Sequence, residues 1–226
     1  MIQKIGHRGA KGHMAENTLE SFQSALYLGV DAVELDVHVC ASGELVVFHD
    51  FTVDRITGGS GEVHKLTLTE LKALKISNQF DIPTLAEVFD LIDRKCWINV
   101  ELKGHGTAQP AVKIIEEYID EKGWEYDDFI VSSFQKEELE KVSVLNPKIN
   151  IGILTQASVE QAIEWGQELS AKAIHPHFSL LTEENCKEAS AKGFKIFTWT
   201  VNHEEDIHRL QHYTINGIIS DFPDRL

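Results

Sequence analysis

The stretch Ala32-Val33-Glu34-Leu35-Asp36-Val37-His38-Val39-Cys40-Ala41-Ser42-Gly43-Glu44-Leu45-Val46-Val47-Phe48-His49-Asp50 decides the fold. Two apolar, β-branched runs, Ala32 to Val39 and Leu45 to Phe48, are separated only by Cys40 to Glu44. That spacer is too short for a parallel crossover, so the two runs form an antiparallel hairpin. Outward from it, runs of the same kind recur at Ile2 to Gly6, Trp97 to Leu102, Phe129 to Ser132, Ile149 to Leu154, Ala173 to His175, Phe194 to Val201 and Gly217 to Ser220. Helical segments fall between most of them. Thr84-x-x-Glu87, Ser158-x-x-Gln161 and Thr67-x-x-Glu70 read as capping boxes, and Gly29, Gly123 and Gly193 stand where helices would end. Strand–helix alternation implies a parallel sheet with helices outside it. Nine runs are one too many for an eight-stranded barrel, and the hairpin's return strand is the surplus. The sequence therefore predicts an α/β fold of the TIM-like (β/α)8 type. It carries a β-hairpin return strand, a small insertion over 51–82 after the second barrel strand, and no last helix. Residues 1–226 read as a single domain.

Composition narrows the function classes. The 226 residues hold 42% apolar and 25% charged side chains, ordinary values for a globular protein. No apolar run approaches the roughly 18 residues of a membrane helix. The N-terminus shows no signal peptide, so the expected location is the cytoplasm. Cys40, Cys96 and Cys186 are few, odd in number and far apart, which argues against a disulfide framework or a zinc site. With 21 basic against 36 acidic residues the net charge is −15, which repels nucleic acid and anionic membrane surfaces. An anionic substrate then needs a local positive site, made by a cation or by a few basic side chains.

In such barrels chemistry sits at the C-terminal ends of the strands. The polar residues fall there. Glu34 and Asp36 are two apart on one strand and share its inward face, while Val33, Leu35 and Val37 turn toward the helices. Glu101 and Lys103 repeat the pattern on the next barrel strand. Three converging carboxylates make a hard-oxygen site suited to one divalent cation, Mg²⁺ or Ca²⁺, with Mn²⁺ as a further option. If the hairpin turn centres on Ser42-Gly43, His49 lies opposite Asp36 on the same face, and a slip of one residue would turn it away. His7 enters from the first strand. Two histidines beside that site supply a proton acceptor and a proton donor near neutral pH. Arg8 offers a fork, and Lys103 a point charge, to phosphate oxygens. Phe134 and Trp199 offer apolar walls for a small substrate, although ordinary barrel packing explains them equally well.

Taken together these residues resemble the glycerophosphodiester phosphodiesterase family. The likeness rests on His7-Arg8-Gly9, Glu16-Asn17-Thr18, Glu34-Leu35-Asp36, Val47-Phe48-His49-Asp50, Asp54-Arg55 with Gly58 to Gly61, Ile82-Pro83-Thr84-Leu85, Glu101-Leu102-Lys103, Ser133-Phe134, Trp199-Thr200-Val201-Asn202 and Asp221. The set runs in family order over nearly the whole chain. It departs at Ala15, where the family usually has Pro. The resemblance implies metal-dependent hydrolysis of glycerophosphodiesters, such as glycerophosphocholine or glycerophosphoethanolamine, to glycerol 3-phosphate and an alcohol. It implies metal binding by Glu34, Asp36 and Glu101, acid–base work by His7 and His49, and phosphate contact from Arg8 and Lys103. It implies that the 51–82 insertion helps cover the active-site mouth. Glu16 and Asp50 match positions close to the site, Asp50 as a further metal ligand or as support for a histidine. The nucleophile is water or the substrate's own hydroxyl. Two rival readings stand beside this one: a related phosphodiesterase acting on lysophospholipids, and a non-catalytic barrel that only binds. The partner expected is a small molecule, and the oligomeric state is unread.

Overall fold

All nine runs form strands in the computed structural model of residues 1–226, most within a residue or two of their expected bounds. They are β1 (Gln3–Gly6), β2 (Ala32–Val39), β3 (Leu45–Val47), β4 (Trp97–Leu102), β5 (Phe129–Ser133), β6 (Asn150–Thr155), β7 (Ala173–Pro176), β8 (Lys195–Thr198) and β9 (Gly217–Ser220). All but β3 are parallel and follow one another in the order β1-β9-β8-β7-β6-β5-β4-β2. Pairing of Ile5 with Ala32 and of Gly6 with Val33 joins β1 to β2 and closes the eight strands into a barrel. The helices α1 (Leu19–Tyr27), α2 (Leu68–Ala73), α3 (Leu85–Ile92), α4 (Ala108–Lys122), α5 (Lys136–Leu145), α6 (Val159–Glu168), α7 (Glu183–Ala191) and α8 (Glu204–Gln211) lie between the strands in chain order. After β9 comes the 3₁₀ turn Pro223–Arg225. No helix is long and apolar enough to cross a membrane.

Local chemistry explains where the helices begin. Thr67 and Thr84 each accept from the backbone N–H three residues on, and Glu70 and Glu87 reach back to complete reciprocal boxes. Ser158 caps α6 through the N–H of Gln161 without a reciprocal bond. A further box, Thr182 with Asn185, opens α7; its short amide at the third position hides it from a search for Glu or Gln.

Strand alternation sorts side chains into two cores. Val33, Leu35 and Val37 face outward into the large core shared with Phe22 and Ala25 of α1 and Val88 and Phe89 of α3. Ile5, Ala32, Ile130, Ala173, Phe197 and Ile219 fill the barrel interior. Trp97 closes against Phe197, with ring centroids 5.2 Å apart. Truncating a fully buried ring such as Phe197 costs about 3–5 kcal/mol. A third core, far smaller than the first, belongs to the excursion after the hairpin, where Val53, Val63, Leu71, Ile76 and Ile82 pack on Val46 and Phe48.

The hairpin corrects one expectation. Val37 pairs with Val47, His38 with Val46 and Val39 with Leu45, one residue off the expected register. The Cys40 N–H bonds to Glu44 O, so the loop is Ala41-Ser42-Gly43 rather than a two-residue turn, with Gly43 at φ +101°. Phe48, not His49, lies opposite Asp36, and its N–H donates to Asp36 O at 2.9 Å. The strand has ended by then, so His49 leaves the ladder and its side chain is no longer bound to strand alternation. The outer edge of β3 is covered: Val47 N–H donates to Pro83 O, and Val46 bridges to Thr84.

Candidate active site

Strand ends on the β1, β2 and β4 side set the polar wall of a cavity. His7, Arg8, Glu34, His49, Glu101 and Lys103 line it, facing Phe134, Leu154, Trp199 and Ile219. Asp36 lies just behind the wall, 1% exposed. Glu16 and Asp50 stand behind Arg8 and His49, which they contact directly. Every site residue expected from the sequence is thus on the cavity wall or in contact with one that is.

The acids gather as β2 and β4 dictate. Asp36 and Glu101 are register partners, so their side chains rise side by side. One oxygen each from Glu34, Asp36 and Glu101 lie within 4.8 Å of one another. Glu34 Oε1 and Asp36 Oδ1 are buried without a hydrogen-bond partner. Lys103 Nζ sits 2.9 Å from Glu101 Oε1 and 3.7 Å from Asp36 Oδ1. Arg8 adds its Nε at 3.3 Å from Asp36 Oδ2, and its backbone N–H donates to Glu34 Oε2 at 3.0 Å. That N–H points there because Arg8 holds φ +50°, an uncommon left-handed conformation for a residue with a side chain. Gly9 beside it has no such choice: at φ +86° a Cβ would meet Ser21 Oγ at 2.5 Å. Asn17, also left-handed at φ +58°, donates Nδ2–H to Asp36 Oδ2 at 2.9 Å.

Three carboxylates against two cations leave an anionic surplus, and it shows in their protonation. Burial, then the charges of Asp36 and Glu101, push Glu34 well above the usual carboxylate range. Burial and Asp36 lift Glu101 to about 7. Asp36 goes the other way: burial opposes its charge, but Arg8 and Lys103 hold it below the ordinary value. Buried oxygens without donors, all of hard character, fit a divalent cation of the Mg²⁺ or Ca²⁺ kind.

Each histidine is gripped at Nδ1 by a carboxylate. His7 Nδ1 meets Asp221 Oδ1 at 2.5 Å, and its Nε2 lies 3.9 Å from Glu34 Oε2. Asp221 is fixed in turn by Asn202, whose Nδ2–H donates to Oδ2 at 2.9 Å and whose Oδ1 accepts from the Asp221 N–H. His49 Nδ1 meets Asp50 Oδ1 at 2.6 Å, and Arg55 Nε donates to Asp50 Oδ2 at 2.5 Å. Burial lowers both imidazoles from their ordinary value, His7 and His49 alike. Both oxygens of Asp50 are engaged by side chains, an arrangement suited to supporting a histidine. Asp221, Asn202, Asn17 and Arg55 belong to family motifs in the sequence, yet nothing local says what they touch. Asp221 is 214 residues from His7, and only the β1–β9 pairing brings them together.

Paired acids and clamped imidazoles thus gather at the C-terminal mouth of a (β/α)8 barrel, where enzymes of this fold carry their active sites. The sequence profile of the glycerophosphoryl diester phosphodiesterase family matches residues 7–225. A glycerophosphodiester phosphodiesterase of Caldanaerobacter subterraneus subsp. tengcongensis is 37% identical over 238 aligned residues, covering 98% of this chain and 95% of that protein. Another from Bacillus altitudinis is 34% identical, covering 100% and 96%. The structure is similar to an Oleispira antarctica phosphodiesterase in complex with the product sn-glycerol-3-phosphate, with a TM-score of 0.90 and 30% identity over 99% of this chain and 94% of that one. The chain belongs to the glycerophosphoryl diester phosphodiesterase family and is an enzyme of the phosphoric diester hydrolase class.

Proposed function

We propose that the chain hydrolyses glycerophosphodiesters, with glycerophosphocholine and glycerophosphoethanolamine as the first candidates, to glycerol 3-phosphate and the free alcohol. The observation that carries this reading is the acidic triad flanked by two imidazoles, each held at Nδ1 by its own carboxylate. Glu34, Asp36 and Glu101 would hold one Mg²⁺ or Ca²⁺. When bound, such an ion supplies electrophilic stabilisation of charge on the phosphoryl oxygens. Arg8 and Lys103 orient the phosphate from the same side, and Phe134 and Trp199 offer the apolar wall for the substrate's carbon atoms. Glu16 holds Arg8, and Asp50 holds His49, in the working pose.

The clamps leave Nε2 of each imidazole as the atom that moves a proton. His7 is the more enclosed, with a side chain 12% exposed against 29% for His49. Burial keeps His7 neutral and able to accept the nucleophile's proton. His49 can take a proton from solvent between turnovers and deliver it to the leaving alkoxide. Residues 1–226 work as one unit in this reading, with 51–82 as the cover at the mouth. The test is release of glycerol 3-phosphate from a panel of diesters with Mg²⁺, Ca²⁺ or Mn²⁺. His7→Ala and His49→Ala are each expected to lose about 100-fold or more in kcat with unchanged circular dichroism. Near-normal turnover in both variants, or full activity after chelation, would overturn the proposal.

A further inference from the structure

We infer that Arg55 is a positioning residue through which the 51–82 excursion holds His49 and Arg8 in their working orientation. The inference rests on the roles proposed above for those two residues. Arg55 does not line the cavity. Its guanidinium instead spans the two acids behind the wall. Nε and Nη2 fork onto Asp50 at 2.5 and 3.1 Å, while Nη2 and Nη1 reach Glu16 at 2.6 and 3.4 Å. Asp50 passes that hold to His49 Nδ1, and Glu16 Oε1 is shared with Arg8 Nη1 at 2.8 Å. One side chain is therefore a single hydrogen-bonded partner away from both a proton-transfer group and a phosphate-binding group.

The geometry favours orientation over stability. The Arg55 side chain is 49% exposed, and an ion pair open to solvent on one side contributes less to folding than a fully buried one. A bidentate fork nevertheless fixes the plane of the carboxylate it grips, which a lone point charge cannot do. Arg55 is also the main reason that Asp50 is held down to about 2, so the acid stays ionised whenever His49 needs it. The guanidinium is placed by a folded excursion rather than by a free loop. Val53, two residues before it, is fully buried in the small core with Val63, Leu71 and Ile76. Ile56, one residue after it, accepts the Ser77 N–H at 2.7 Å. Ordering of the excursion and alignment of the two groups are thus mechanically joined at this one side chain.

Two measurements test this on the full chain. The first is kinetic, with Arg55→Met, Arg55→Lys, Asp50→Asn and the double variant Arg55→Met/Asp50→Asn. Arg55→Met should lose about 10- to 100-fold in kcat, as partners of working groups do, with a raised KM from the loosened Arg8 and a thermal midpoint little changed. Arg55→Lys should recover part of the loss, and the double variant should be no worse than the poorer single one. A wild-type kcat in Arg55→Met, or losses that multiply in the double variant, would overturn the inference. The second needs no substrate, so it separates failure of this inference from failure of the proposed reaction. In ¹⁵N-histidine-labelled protein, the Nδ1–H signal of His49, assigned with a His49→Asn variant, should shift or broaden in Arg55→Met. That of His7, clamped by Asp221, should stay in place. A His49 signal indifferent to Arg55→Met would sink the proposal whatever the turnover.

Discussion

At the scale of single residues, proton occupancy at the acidic triad governs what the site can bind. Glu101 lifted to about 7, and Glu34 raised well above the usual carboxylate range, means that protons compete with any cation. The sign follows: ionised ligands are lost as pH falls through 7. The dissociation constant for Mg²⁺ or Ca²⁺ should rise about tenfold for each unit below pH 7, more steeply where the Glu34 proton must also leave. Calorimetric titration at pH 6, 7 and 8, in buffers of differing ionisation enthalpy, would read both the affinity and the protons released. A flat profile with no proton release would count against the triad as the ligand set. Most of this layer is legible in the sequence, because i, i+2 spacing on a strand fixes a shared face for Glu34 and Asp36 whatever the rest of the fold does. The clamps are not legible. The bond from Asp221 to His7 closes the first strand against the last, and Arg55 reaches Glu16 across 39 positions, contacts that only the closed barrel creates.

Among the elements, close packing between neighbouring strands sets the tolerance to change. Gly152 of β6 pairs with Ala173 of β7, and a Cβ there would come within 2.6 Å of His175 Nε2. The His175 ring is fully buried and meets Phe197 edge-on at 5.4 Å, so it has little room to withdraw. Gly152→Ala should therefore destabilise by about 1–3 kcal/mol, read as a lower denaturant midpoint with an unchanged slope. An unaltered midpoint would mean that the barrel interior yields more easily than its packing suggests. Strand positions were readable here because apolar, β-branched runs punctuated by caps leave few alternatives, as β2 and β4 illustrate with their expected bounds. Hairpin register was not. The spacer from Cys40 to Glu44 allows a two- or a three-residue loop, and the choice falls to Gly43 at φ +101° and the Cys40–Glu44 closing bond. His49 still reaches the cavity because β3 stops at Val47, a boundary that the pattern Leu45 to Phe48 does not mark.

For the molecule as a whole, uncompensated charge in the barrel mouth should make folding stability depend on the cation. Glu34 Oε1 and Asp36 Oδ1, buried without donors, weigh against the folded state, and a divalent ion bound there would relieve them. An ion at 100 times its dissociation constant adds about 2.7 kcal/mol to unfolding. The thermal midpoint should accordingly rise by several degrees on adding Mg²⁺ or Ca²⁺ and fall back with chelator, and a Glu34→Gln/Glu101→Gln variant should lose that response. A response unchanged in the double variant would place the ion elsewhere. The barrel itself was foreseeable, since eight strands alternating with capped helices admit few other closures. The excursion's small core was less so, because Val53, Val63, Leu71, Ile76 and Ile82 are scattered singly among polar residues and carry no period.

A barrel has no sheet margin, but a return strand laid against its rim restores one. Here the segment Pro83-Thr84 crosses that margin, Pro83 O accepting the Val47 N–H and Thr84 bridging to Val46. Loosening that crossing would leave a short sticky ribbon able to recruit a neighbouring chain by backbone pairing. The stretch leading into α3 thus covers exposed hairpin backbone as well as steering the polypeptide back to the barrel.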